Sequence, residues 1–85
     1  MGLDTVEFLI YAEKSFDIKI SDAEAGEIYT MGQFSRLCHK KILAKGSNTP
    51  ESEVFAALCK ILHKKFAIQK PIHREDLIVK DLGLE

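Results

Sequence analysis

The side chains best suited to chemistry in this chain are two cysteines and three histidines, and their spacing limits what they can do. Cys59 and His63 in "LCKILHKKF" stand four residues apart, the interval that puts two metal ligands on one helix face. Cys38 and His39 in "LCHKKIL" are neighbours, so on a helix their side chains diverge by about 100° and do not aim at one ion. Cys38 also falls within an apolar stripe, so both thiols are read as buried or boundary residues and no metal is expected. His73 in "PIHRED" is read as a loop residue rather than a base. With no Ser-His-Asp order, glycine-rich phosphate loop or paired carboxylates, no catalytic residue is identified and enzyme activity is not expected.

The charges are segregated along the 85 residues, although the net charge is only -1. Residues 1 to 27 carry seven acids (Asp4, Glu7, Glu13, Asp17, Asp22, Glu24, Glu27) against Lys14 and Lys19, a net -5. Residues 28 to 50 carry Arg36, Lys40, Lys41 and Lys45 and no acid, a net +4. Such a dipolar surface steers a basic protein toward one side and an anion or acidic partner toward the other. Aromatic residues meet the basic stretch only at core-type positions, so nucleic acid is not the expected partner.

Four helices are expected to position these groups. Leu3, Val6, Phe8, Leu9, Ile10, Ala12 and Phe16 span roughly 220° of a helix over residues 3 to 16, an apolar face wide enough to bury two sides or to leave a margin for a partner. Ser21 with Glu24, and Thr30 with Gln33, have the spacing of reciprocal helix caps. They predict a brief helix near 22 to 28, weakened by Gly26, and a longer one reaching about Ala44 with Met31, Phe34, Leu37, Cys38 and Ile42 on one face. Gly46, Thr49 as N-cap and Pro50 at the first helical position predict a tight turn into a helix over 50 to 66, whose stripe is Val54, Phe55, Leu58, Ile61, Leu62 and Phe66. The tail "AIQKPIHREDLIVKDLGLE" lacks a helical period and reads as a long loop pinned by Ile72, Leu77, Ile78, Val79 and Leu82. No apolar run approaches the roughly 18 residues of a membrane span. "MGLDTV" lacks both a signal-peptide layout and, with Val6 at the sixth position, an N-myristoylation signal, so a cytoplasmic location is expected.

When the last residues are read into the first, "REDLIVKDLGLE" followed by "MGLDTVEFLIYAEKSFDIKISDAEAGEIYT" resembles the bacterial acyl carrier protein family across its middle. The resemblance implies an all-α, four-helix carrier bundle in circularly permuted order, forming one domain over 1–85. Residues 2–44 resemble the family's second to fourth helices, and residues 50–85 its first helix and following loop, with residues 45 to 49 bridging the old termini. Two neighbouring carrier domains, or helix exchange in a swapped dimer, are competing explanations.

The resemblance also implies a lost function. The family's serine carries phosphopantetheine through its side-chain oxygen, and the aligned position here is Gly2, which has none. Met1 is an extra residue between the site and the counterpart of Glu85, and the permutation sets the Met1 ammonium near the Glu85 carboxylate. The nearest hydroxyl, Thr5, lies on the core-facing arc, where it packs or bonds back to its helix. No phosphopantetheine is therefore expected. Leu3, Asp4, Glu7, Ile10, Tyr11 and Glu13 match the acidic helix that carriers present to basic patches on partner enzymes. Lys14 and Lys19 interrupt that surface, and the isoelectric point near 6.3 is less acidic than the family usually shows. The expectation is a non-catalytic interaction or regulatory module of fatty-acid or polyketide metabolism, monomeric or a helix-swapped homodimer. The alternatives are a carrier armed at a non-standard site and a dimeric structural module.

Overall fold

Two reciprocal caps and three apolar stripes account for most of the architecture. The computed structural model describes residues 2–85, so the expected placement of Met1 beside Glu85 lies outside the described residues. Within them are four helices, α1 (Leu3–Phe16), α2 (Asp22–Ala25), α3 (Met31–Ala44) and α4 (Glu51–Lys65), and no strand beyond an isolated bridge between Thr30 and Leu77.

The helix starts follow local chemistry. The Ser21 hydroxyl accepts from the Glu24 N–H at 3.1 Å while the Glu24 carboxylate accepts from the Ser21 N–H at 3.0 Å. Thr30 and Gln33 repeat this at α3, so orphan donors at both helix ends are satisfied by neighbouring side chains. α2 stops at Ala25, three residues short of its expected end. Gly26 caps it, and Glu27 and Ile28 continue only as single-turn bonds to Glu24 and Ala25. At α4 the expected cap shifts by one residue. Pro50, at φ -65° and ψ 150°, is still extended and takes the N-cap place, while the Thr49 hydroxyl turns to Ser47 at 2.9 Å.

Phe8, Phe34, Cys38, Val54, Leu58 and Leu62 are almost wholly removed from water and bring α1, α3 and α4 onto one core. Phe8 meets Phe34 edge to face at 5.0 Å between ring centres and Phe66 at 6.1 Å, a geometry that adds about 0.5–1.5 kcal/mol per pair beyond the area buried. α3 and α4, joined by a short turn, share the most extensive contact, and α1 packs across both.

The tail after α4 is an ordered loop whose carbonyls complete α3. The Met31 N–H donates to Asp76 O at 3.0 Å and the Gly32 N–H to Arg74 O at 2.8 Å. The approach at Gly32 is close enough that a Cβ there would stand 3.1 Å from the Arg74 carbonyl oxygen. Ile78, Leu82 and Leu84 sink into the core and anchor the rest of the loop. Among the described residues no helix is long and apolar enough to cross a membrane.

Candidate functional site

The start of α1 is where the loop's end and the helix bearing the candidate residues come together. Gly2 takes the N-cap position in extended conformation, φ -82° and ψ 173°, and has no side chain to satisfy the first donors. The backbone of Glu85 supplies what is missing, its carbonyl oxygen accepting from the Thr5 N–H at 2.7 Å. The contact leaves no room for a side chain at position 2. A Cβ on Gly2 would coincide with the Glu85 carbonyl group and stand 2.8 Å from its Cα. Glycine is thus required here by close backbone approach rather than by an unusual dihedral.

The candidate docking residues divide into two groups. Leu3, 82% exposed, and Ile10, 41%, lie along the outside of α1 with Asp4 and Glu7 exposed beside them, and Val6, 39% exposed and not among the candidates, joins them in an apolar line. Tyr11 is half-buried, stacked edge-on to Phe66 at 6.0 Å with the Lys65 ammonium 5.5 Å from its ring centre. Glu13 turns inward, its Oε2 accepting from the Ile20 N–H at 2.8 Å, so this carboxylate ties the segment after α1 to the helix. Val6, Leu9, Ile10 and Ile20 line a surface cleft of about 450 Å³, with Glu13 and Asp22 among its walls.

Long-range lysine contacts that no local sequence signal marked complete the neighbourhood. The Lys45 ammonium donates to the carbonyls of Phe16 at 2.9 Å and Asp17 at 2.8 Å, a cation on orphan acceptors at a helix C-terminus. Asp17 itself adopts the left-handed conformation, φ 53°. Lys41 pairs with Glu24 at 2.9 Å. The backbone N–H of Ser21 and then the Lys41 ammonium bring the Glu24 carboxyl down to about 2 from its ordinary 4.5.

Thr5 lines a smaller pocket of about 240 Å³ with Ile28, Tyr29, Leu77, Ile78, Val79 and Lys80. Its Oγ1 is buried and makes no hydrogen bond to the described residues, so it packs without bonding back to its helix. A hydroxyl enclosed in this way is poorly placed as an attachment point.

On the opposite side, Glu51 accepts from the buried Ser35 hydroxyl and from Arg74 Nη1 at 2.5 Å, and the Arg74 guanidinium lies 4.4 Å from the Phe55 ring centre. The Arg74 bond comes first among the causes that hold the Glu51 carboxyl below its ordinary value. This cluster fastens the loop to α3 and α4.

The cysteines and histidines sit in separate settings along α3, α4 and the loop. Cys38 is buried in the core, where desolvation pushes its thiol up to about 12. Cys59 is half-buried and raised for the same reason. His63 Nδ1 contacts Ile68 O at 2.5 Å, and the His73 N–H donates to Asp76 Oδ2 at 2.8 Å. No group of three potential metal ligands assembles among the described residues. No family model, curated protein or solved structure matches the chain.

Proposed function

We propose that this chain is an acyl-carrier-like interaction module, in permuted order, that docks on enzymes of acyl or polyketide metabolism through the outside of α1 and carries no phosphopantetheine at Gly2. One observation carries the reading: the "DLGLE" end of the loop and the "LDTVE" start of α1, far apart in the chain, lie side by side and share the bond from Thr5 to Glu85. Two segments that together resemble the family's attachment motif are thus neighbours in space. Further support comes from the exposed line of Leu3, Val6 and Ile10 flanked by Asp4 and Glu7, an apolar strip with an acidic border that suits a basic docking patch. Gly2 offers no oxygen for a phosphodiester, and the Glu85 backbone fills the space where a serine side chain would project.

The test has two parts. Incubation with coenzyme A and a broad-specificity phosphopantetheinyl transferase should leave the intact mass unchanged, while an ordinary carrier gains one arm. The chain should bind an immobilised acyl-metabolism enzyme that bears a basic docking patch, with affinity that falls as salt rises and is lost in Glu7→Lys. A gain of one arm overturns the unarmed reading, and binding that Glu7→Lys does not weaken overturns the docking face.

A further inference from the structure

The basic half of the chain presents a second outward face whose spacing mirrors that of α1. On α3, Arg36, Lys40 and Leu43 are exposed, Leu43 by 49%, and they fall within about 60° of one another around the helix. On α1, Leu3, Glu7 and Ile10 are exposed and fall within a similar arc. Both sets sit at i, i+4 and i+7. Laid side by side in the same direction, Ile10 meets Leu43, Glu7 meets Lys40, and Leu3 runs along the aliphatic stem of Arg36, whose guanidinium is left facing Asp4. Among the described residues neither Arg36 nor Lys40 makes an ion pair, whereas Lys41 and Lys45 on the neighbouring arc are engaged with Glu24 and Asp17. On α3, Arg36 and Lys40 are therefore the cations free for a partner, and they match the α1 face in sign and spacing.

We infer that the α1 face is occupied by the α3 face of a second copy of this chain, two copies closing into a pair in which each contributes both faces. The inference rests on the docking face proposed above and adds a second occupant, which competes with the enzyme for that face. Each contact joins unlike surfaces, and a twofold arrangement in which each copy contributes both faces contains that contact twice. Its ion pairs lie at the rim of small apolar contacts, so the association weakens with salt.

Sedimentation equilibrium of the full chain, Glu7→Lys and Lys40→Glu, at about 0.02 M and about 0.5 M NaCl, tests this directly. The native chain should show the mass of two copies at low salt and of one at high salt. Each reversal alone should sediment as one copy under both conditions, because two like charges then face each other in both contacts. An equimolar mixture of the two reversals should regain the double mass at low salt, since each reversed charge meets the other reversal and each native charge meets its native counterpart. A single-copy mass for the native chain at low salt, a pair that survives either reversal, or a mixture that stays single overturns the inference. If the native chain is single and enzyme binding is still lost in Glu7→Lys, only the self-pairing fails. If Glu7→Lys also leaves enzyme binding intact, the docking face fails with it.

Discussion

Replacing Gly2 by serine separates two arguments that predict opposite signs. At an isolated helix start serine is the better N-cap, favoured over glycine by a few tenths of a kcal/mol. In this fold the new side chain meets the Glu85 backbone, and Glu85 must swing away, breaking the 2.7 Å bond from the Thr5 N–H. Loss of that bond costs about 1 kcal/mol. The displacement stops at Glu85, because Leu84, only 3% exposed, remains anchored in the core. The net expectation is a loss of about 0.5–1 kcal/mol, or a fall of about 3–6 °C in melting temperature for a domain of this size. The decisive comparison is a cycle with a chain lacking Glu85. Without that residue the cap is already absent and the space is open, so Gly2→Ser should become neutral or slightly stabilising. Thermal melts of the four proteins read the sign directly. A Gly2→Ser penalty of the same size with and without Glu85 would refute the account of why glycine stands at position 2.

Other consequences are open to measurement. Leu58→Ala removes a fully buried side chain between α4 and its neighbours and should cost about 2–5 kcal/mol, seen as a lower urea midpoint with unchanged slope. Arg74→Ala loses the bond to Glu51 and the contact with Phe55, about 1 kcal/mol for a guanidinium that remains partly solvated, and Arg74→Lys should recover only part of it in the same melts. Glu24 binds its proton less readily folded than unfolded, so its stabilising contribution is complete above about pH 4.5 and fades as pH falls toward about 2; melts across that range should show a shallower acid limb in Glu24→Gln. A disulfide thiol reagent should label Cys59 before Cys38, whose burial and thiol near 12 leave it protected until the protein opens.

What the sequence disclosed follows from how local the determining interactions are. α1 and α3 run over the residues their stripes predict, and the second cap of each pair sits three residues from the first, so both signals lie within one turn. Pro50 moved from the first helical position to the cap because its fixed φ suits either place, and only ψ, which the sequence does not specify, separates them. Glu13 is expected from the sequence among the docking acids, because its acceptor role depends on where the chain brings the Ile20 N–H. The same holds for Lys45 on the end of α1 and for Arg74 against Glu51, whose partners are 28 or 29 and 23 residues away. At the α1 start, the lack of a side-chain oxygen is legible from Gly2 itself. The backbone of Glu85 filling that space was not, since a carbonyl carries no residue-specific signature.

The loop carbonyls over the start of α3 also decide when that helix is finished. The first two amides of α3 are held by Asp76 and Arg74, more than forty residues downstream, while the body of α3 is held by its own turns and by the adjacent α4. In hydrogen exchange the amides of Met31 and Gly32 therefore belong to the tail's opening unit and not to the helix that contains them, and they lose protection together with Ile78, whose N–H is bonded to Tyr29 in the same seam. During folding, the α3–α4 hairpin can assemble from near neighbours while its leading edge waits on the closure of the longest loop in the molecule.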